Sequence, residues 1–237
     1  MNILFPGLKT TWIQVDMAKV YENRKDLNMW NIRDQFTLAD SLVPQKGVNS
    51  GAPSSPVPPR IGLKTCEGSG EASEARVTEN TYGGFGEDRT ELWKNFGYPV
   101  PTIHLGIDFN NLESGQAVGS LSDGTVVDVW YHDSVFDGWG GRVVIEGTDG
   151  LFYMYGHLWH KDGAGLPSIG DKIRRGQVIG VIGSESENGG WFQHLHLQIM
   201  TNEYIKKDVD WRKIDGYESH VPAGVLNPMD VINKISI

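Results

Sequence analysis

The sequence predicts an all-β fold, an antiparallel β-sheet or sandwich core with irregular and partly helical arms at both ends. Between residues 124 and 200, short segments rich in β-branched and aromatic residues recur at spacings that suit hairpins. Glycine supplies 30 of the 237 residues, well above the usual share of about 7%. Most of this excess flanks the same segments, as expected of turns that join neighbouring strands.

Five segments in this region are predicted to form strands. They are GTVVDVW (124–130), GRVVIEG (141–147), LFYMYGHL (151–158), QVIGVIG (177–183) and HLHLQIM (194–200). Further along, VLNPMDVINKI (225–235) predicts a turn followed by a short terminal helix.

The residues that precede the β region predict an arm and not a second core. Residues 12–42 have a loose helical spacing that indicates one or two helices, whereas residues 43–60 contain five prolines. Residues 67–75 are small and acidic, so we interpret about 43–75 as a linker with too little apolar material for a core of its own. We expect three parts: an N-terminal arm over 1–84, a core domain over 85–205 and a C-terminal extension over 206–237.

Charge and composition narrow the classes of protein. Lysine plus arginine number 21 and aspartate plus glutamate 30, a formal net charge of −9. This acidic balance argues against nucleic-acid binding and against docking on an anionic membrane, and no apolar run approaches the roughly 20 residues of a spanning helix.

A single cysteine, Cys66, cannot form an internal disulfide. The N-terminus lacks the features of a signal peptide, so we expect a cytoplasmic protein, or an extracytoplasmic one if a leader is missing. We predict no particular oligomeric state.

The segment HLHLQIM carries the first candidate metal-binding pattern. Alternation along a strand directs its three apolar residues toward the core, whereas His194, His196 and Gln198 share the opposite face, with neighbours about 6–7 Å apart. Two imidazoles on one face can serve a metal and its water together. A solvated polar face is the alternative interpretation.

The segment HLGID carries the second pattern, since an imidazole with a carboxylate is a normal zinc pairing. His104 and Asp108 would stand about 13 Å apart in a fully extended strand, too far for one ion. The chain must therefore bend between them, and Gly106 permits it. Alone, this motif would also fit a surface polar pair.

In combination, His104-X-X-X-Asp108, His157 in YGHL and the His-X-His at 194–196 resemble the lysostaphin-type zinc endopeptidases, which include many peptidoglycan hydrolases. The resemblance covers about residues 85–200. It implies the duplicated hybrid motif fold of that family and a zinc-dependent hydrolysis of peptide bonds, with a peptide or peptidoglycan as the substrate.

Carried over residue by residue, the resemblance implies that Zn²⁺ is bound by His104, Asp108 and His196, which leaves a fourth position open. His157 and His194 match the two histidines of the family that are not ligands. Their implied roles are to handle the proton of the attacking water and to stabilise the developing oxyanion. Three other histidines match no part of the pattern: His132, His160 and His220.

The turn before the His-X-His motif departs from the family pattern. Phe192-Gln193 stand where Gly-Pro is usual, Leu197 stands where phenylalanine is usual, and SESENGG (184–190) replaces a small turn rich in glycine and threonine. These changes remodel one wall of the substrate groove.

NGGW (188–191) and GEDRTELW (86–93) are similar to a sub-branch that occurs as an internal domain of aminotransferase-containing proteins.

Other protein classes share part of the pattern. IGDKIRRGQVIGVIG (169–183) resembles the hairpin unit of lipoyl and biotinyl carrier domains, but QVIGVIG offers no lysine for modification. A sugar phosphotransfer domain would use two histidines without a zinc-binding carboxylate, so Asp108 argues against it. An inactive zinc-binding relative that acts as a binding or regulatory module stays open.

Two tryptophans flanked by glycine, Trp139 in DGWGG and Trp191 in NGGWF, are predicted to lie in loops beside strands that carry site residues. We interpret them as walls of a groove that accepts a slender peptide. The alternative is that both indoles plug the ends of the sheet, since tryptophan is usually largely buried.

Overall fold

Antiparallel strands dominate the structure, a computed structural model that describes residues 1–8, 12–14, 80–93, 99–110, 112–131, 138–161, 163–184, 186–189 and 193–235. The strands in chain order are β1 (Trp12–Gln14), β2 (Asn80–Gly83), β3 (Ile103–His104), β4 (Ile107–Asn110), β5 (Ala117–Gly119), β6 (Gly124–Trp130), β7 (Gly141–Gly147), β8 (Phe152–Leu158), β9 (Lys172–Ile173), β10 (Val178–Val181), β11 (His194–Met200), β12 (Tyr217–Glu218) and β13 (Val225–Leu226). The helices are α1 (Thr90–Trp93) and α2 (Pro228–Ile235), with a 3₁₀ turn at Trp211–Lys213. Among the described residues, no helix has the length and apolar character needed to cross a bilayer.

Nine strands form one sheet. Eight of them follow one another in the order β1, β2, β4, β11, β8, β7, β6 and β9, and the ninth, β13, pairs with the last residues of β11. All its pairings are antiparallel except that of β1 with β2. Two smaller antiparallel pairs join β5 to β10 and β3 to β12. The predicted all-β fold class is confirmed. The five segments predicted as strands form β6, β7, β8, β10 and β11, and the predicted terminal helix is α2.

The alternation along β11 determines what each face of this strand contacts. Leu195, Leu197 and Ile199 belong to the main hydrophobic core, as their spacing predicts. The polar side chains of the opposite face are buried too, with exposures of 0–4%. Other parts of the chain cover this face; the ring of Trp139, for example, lies 5.2 Å from that of His196. A solvated polar face, the alternative to a site, is therefore wrong.

The first residues of the chain are part of the main core. Leu4 and Phe5 are 0% and 1% exposed, and the Phe5 ring meets the edge of Phe109 in β4 at a centroid distance of 5.4 Å. The backbone N–H of Gly119 donates to the carbonyl of Leu4 at 2.8 Å. Burial of two large apolar side chains contributes about 1.5–3 kcal/mol each, so this segment stabilises the sheet against which it packs.

The region predicted to be helical over 12–42 begins with a strand, because Trp12–Gln14 pair in parallel with β2. The remainder of that region, the linker predicted over about 43–75 and Cys66 lie outside the described residues. The boundaries proposed for the three parts of the chain stay a prediction.

The C-terminal segment is anchored to the sheet by Arg142 of β7, which is 1% exposed. Its guanidinium donates to the carbonyls of Ile214 at 3.1 Å and Trp211 at 2.9 Å, and it pairs with the Asp128 carboxylate at 3.2 Å. A buried charge is tolerated when it is paired and hydrogen-bonded in this way. The anchored segment includes β12, which pairs with β3, the strand that ends at the predicted site residue His104.

Candidate metal centre and active site

Three strands bring the predicted metal ligands together. His104 ends β3, Asp108 lies in β4 and His196 lies in β11. The register of β4 with β11 places Asp108 directly opposite His196, where side chains of an antiparallel pair are within contact distance. The break between β3 and β4 folds His104 back toward the same point.

Gly106 lies at that break, where a side chain would have no space in addition to any restriction of the backbone. A Cβ atom at this position would stand 2.5 Å from Cε1 and Nε2 of His196 and 2.7 Å from the carbonyl oxygen of Leu197. Any other residue would therefore displace the His196 ring. The predicted bend is present, and the glycine also provides the space that the His196 ring, the third candidate ligand, occupies.

Three side-chain atoms form a nearly equilateral triangle. His104 Nε2 lies 3.1 Å from His196 Nδ1, His196 Nδ1 lies 3.2 Å from Asp108 Oδ1, and His104 Nε2 lies 3.4 Å from the same oxygen. Ligands bound tetrahedrally at about 2.0–2.1 Å from zinc would stand roughly 3.3 Å apart. The two nitrogens and one oxygen thus fit Zn²⁺ in both chemistry and spacing, and they are the group of described residues that could hold a metal ion.

Hydrogen bonds fix which nitrogen of each imidazole faces the triangle. His104 Nδ1 donates to the carbonyl of Gly84 at 2.9 Å, and His196 Nε2 lies 3.4 Å from the acceptor Gln198 Oε1. The opposite nitrogens, His104 Nε2 and His196 Nδ1, then carry lone pairs that point at each other and at a carboxylate. A cation would relieve that repulsion, and outer hydrogen bonds of this kind orient metal-binding histidines.

The charge states also suit a metal centre. Burial, together with the neighbouring positive charge of Arg89, lowers the pKa of His104 to about 4, so the ring is neutral near pH 7. Burial by itself raises the pKa of Asp108, but His104 and Arg89 outweigh it and hold the pKa well below its usual range. The site therefore presents a neutral imidazole and a carboxylate, the forms that bind metals.

His157 occupies an unusual backbone position beside this triangle. Its φ is 66°, in the left-handed region that few residues other than glycine adopt. The conformation is held by two backbone bonds, from His157 N to the carbonyl of Trp139 at 3.0 Å and from Gly183 N to the carbonyl of His157 at 3.1 Å. Strained positions held from both sides are typical of functional sites.

The His157 ring is oriented by a main-chain carbonyl. Its Nδ1 donates to the carbonyl of Asn188 at 2.9 Å, so Nε2 is the unprotonated nitrogen of the neutral ring. Burial lowers the pKa of His157 well below its ordinary value, and the nearby His194 and His196 add to this effect. A neutral imidazole with a defined acceptor nitrogen is suited to take a proton.

His194 completes the cluster. Its ring centroid lies 4.2 Å from that of His157, and its Nε2 lies 3.8 Å from Asp108 Oδ1. The structure thus brings all five predicted site residues into one cluster. His160 is buried elsewhere beside Tyr131, and His220 is exposed.

The loop that departs from the family pattern supports His157. Glu187 accepts hydrogen bonds from the backbone N–H of Ser184 at 3.1 Å and from Trp159 Nε1 at 2.7 Å. Burial raises the pKa of Glu187, but these bonds outweigh it and lower the pKa below its ordinary value, so the carboxylate stays charged. This carboxylate closes the loop and thereby places Asn188, whose carbonyl receives the His157 bond.

One of the two predicted wall residues lies at the site. Trp139 is half-buried, and its ring stacks on His157 at a centroid distance of 5.8 Å and meets His196 at 5.2 Å. The guanidinium carbon of Arg142 lies over the Trp139 ring, 5.4 Å from its centroid. Trp191 and His132 lie outside the described residues.

Several contacts at the site involve residues that the motif spacing could not indicate. The Asn188 carbonyl contacts His157, and Arg89 and Tyr217 approach the candidate ligands Asp108 and His104 from other parts of the chain. Arg89 and Asn188 lie in GEDRTELW (86–93) and NGGW (188–191), so the likeness of these two segments to a sub-branch of the family was the signal that could have found them. Tyr217 lies in no segment that the sequence analysis singled out.

A buried triangle of two histidines and one aspartate is the kind of ligand set that can hold a catalytic zinc ion. Residues 102–209 match peptidase family M23, in agreement with the resemblance that the sequence shows. Glycyl-glycine endopeptidase ALE-1 from Staphylococcus capitis is 29% identical over 152 residues, which cover 60% of this chain and 39% of that protein. The chain therefore spans about two fifths of the length of this curated relative.

Among solved structures, the catalytic domain of lysostaphin from Staphylococcus simulans matches with 22% identity and a TM-score of 0.42, over 63% of this chain and 89% of that one. LytU is 21% identical with a TM-score of 0.42, covering 64% of this chain and 82% of that one.

Proposed function

We propose that this domain is a zinc-dependent endopeptidase that hydrolyses peptide bonds in peptidoglycan cross-links. The observation that carries the proposal is the triangle of His104 Nε2, His196 Nδ1 and Asp108 Oδ1, with sides of 3.1–3.4 Å, beside a neutral histidine with a defined acceptor nitrogen. The match to a peptidase family and the likeness to a glycyl-glycine endopeptidase support peptide hydrolysis and point to glycyl bonds as the first substrates to test.

In this proposal His104, Asp108 and His196 hold the zinc ion. When bound, zinc supplies Lewis acidity toward water and toward the scissile carbonyl, which makes hydrolysis feasible at neutral pH. The three protein ligands leave room for a further ligand, as catalytic zinc sites require.

His157 moves the proton. Its Nε2 accepts a proton from the attacking water while Nδ1 stays bonded to the Asn188 carbonyl, so the ring keeps its orientation through the step. The same Nε2–H then donates the proton to the departing amine, which returns the ring to its neutral form. His194, 4.2 Å away between ring centroids, is assigned to donate a hydrogen bond to the oxyanion that forms on the scissile carbonyl.

The proposal is tested with the full chain in zinc-loaded, chelator-treated and zinc-restored forms. Each form is incubated with pentaglycine and with peptidoglycan that has glycyl or direct cross-links, and products are identified by mass spectrometry. We expect cleavage by the loaded and restored forms and none by the chelated form. A folded, stoichiometrically zinc-loaded protein that cleaves none of these substrates would contradict the proposal and favour a binding module.

Trp139 forms part of the wall of the proposed site, so its replacement with alanine is expected to impair peptide hydrolysis. The ring contacts His157 and His196, and each such aromatic pair contributes about 0.5–1.5 kcal/mol. We therefore expect a stability loss of about 1–3 kcal/mol, a raised KM or lowered kcat, and retained zinc. Trp130→Ala, which also loses an arginine contact to a tryptophan ring, is the matched control. A loss above about 3 kcal/mol with normal kinetics would identify Trp139 as a plug of the sheet.

A further inference from the structure

We propose that Arg89 is a positioning residue of the metal centre, which holds the Asp108 carboxylate so that a single oxygen faces the two ligand histidines. This inference rests on the proposed function for the identity of the metal. It concerns a residue that lies ahead of the stretch matched to peptidase family M23.

The two oxygens of Asp108 have separate partners. Arg89 Nη1 donates to Oδ2 at 2.9 Å, whereas Oδ1 faces His196 Nδ1 at 3.2 Å and His104 Nε2 at 3.4 Å. A charge-assisted hydrogen bond of this length is among the stronger ones in proteins. It fixes the rotation of the carboxylate, which would otherwise be free to turn both oxygens toward one cation.

Arg89 is itself held in place from several sides. Its Nη2 pairs with the Glu87 carboxylate at 3.3 Å, and its Nη1 also donates to the hydroxyl of Tyr217 at 3.2 Å. The Arg89 side chain is 10% exposed, and its backbone N–H donates to the carbonyl of Thr102 at 2.7 Å. Because its own position is fixed, Arg89 can impose a position on Asp108.

Gly84 permits this arrangement. A Cβ atom at Gly84 would stand 2.5 Å from Arg89 Nη2 and 2.8 Å from His104 Nδ1. The carbonyl of the same residue receives the His104 Nδ1–H. One glycine thus allows both the arginine and a ligand histidine to approach the backbone closely.

Tyr217 links the C-terminal segment to the same group. It pairs with His104 across β12 and β3, and its ring lies 5.2 Å from the His104 ring. Arg89 precedes the family-matched residues 102–209 and Tyr217 follows them. Two flanking segments therefore meet at Asp108 and His104 and form an outer layer around the ligands.

Arg89 also sets the chemical character of the site. Its positive charge compensates the Asp108 carboxylate, and it leaves Oδ1 as a single ligand atom, which favours four-coordinate over higher-coordinate binding. Partners of metal ligands at this distance commonly change metal affinity by about 10–100-fold when they are removed.

The test measures metal binding by the full chain and requires no peptide substrate. Arg89→Met and Arg89→Lys are compared with the wild type in zinc affinity, by competition with a chromophoric chelator, and in the visible absorption of bound Co²⁺, which reports coordination number. We expect Arg89→Met to weaken zinc binding by about 10–100-fold and to shift the Co²⁺ spectrum away from the four-coordinate form. Arg89→Lys should lie between Arg89→Met and the wild type, because an ammonium can still donate to Oδ2.

Arg142→Lys is the control, since Arg142 is a more deeply buried arginine that also pairs with a carboxylate, in its case that of Asp128. It should lower thermal stability and leave zinc affinity unchanged. Should Arg89→Met fail to fold, Arg89→Lys alone decides: wild-type zinc affinity and an unaltered Co²⁺ spectrum would overturn the proposal. If the wild type cleaves no peptide but the Arg89 variants still weaken zinc binding, the proposed function fails and this inference stands.

Discussion

Replacing His196 with alanine is expected to abolish stoichiometric zinc binding. The change removes one vertex of the triangle and leaves only His104 Nε2 and Asp108 Oδ1, 3.4 Å apart, from the protein. Loss of a direct ligand should exceed the roughly 10–100-fold effect of losing an outer partner, so we expect affinity to fall by more than about 100-fold. Zinc content is measured by elemental analysis after dialysis against sub-micromolar free zinc.

His220→Ala serves as the control for that experiment, because His220 is exposed and far in sequence from the ligand motifs. It should retain one zinc ion per chain. Stoichiometric zinc in His196→Ala under the same dialysis would show that the ligand assignment is wrong. Thermal melts of both variants separate loss of metal from loss of fold.

Replacing His157 with asparagine should lower turnover by about 10²–10⁴-fold while zinc is retained, because a positioned acid and base contributes that much. Asparagine is the suitable replacement, since it tolerates the left-handed backbone conformation better than most residues and the φ here is 66°. Turnover and zinc content are measured on the same preparation with the substrate established for the wild type.

His194→Ala belongs in the same series and should also retain zinc with lowered turnover. Metal loss equal to that of His196→Ala would instead make His194 or His157 a ligand. Turnover at the wild-type level would show that these histidines are bystanders, despite the 4.2 Å between their ring centroids.

The fold could be predicted from the sequence because its strands are short, rich in β-branched residues and bounded by glycine. The candidate site residues could be located for a related reason, since His194 and His196 alternate with core leucines and Gly106 separates His104 from Asp108. The burial of the polar face of β11 was not predictable, because the cover comes from Trp139 and from other parts of the chain.

Contacts made through the backbone or by distant segments could not be predicted in the same way. The carbonyls of Gly84 and Asn188 orient His104 and His157, and a carbonyl has no signature in residue type. Trp12–Gln14 form a strand where the spacing suggested the start of a helical region, because pairing with β2 overrides a weak local preference.

The buried Leu4 and Phe5 have a practical consequence for anyone who prepares a shortened form of this protein. Borders drawn at the recognised peptidase region, residues 102–209, would discard these two core side chains together with Arg89, Tyr217 and β2. The excised fragment would expose apolar surface on the sheet, and it would also lose the residues that support the candidate metal ligands. A sample for biochemistry should therefore keep residues 1–8 and the segments that carry β2, Arg89, Tyr217 and α2.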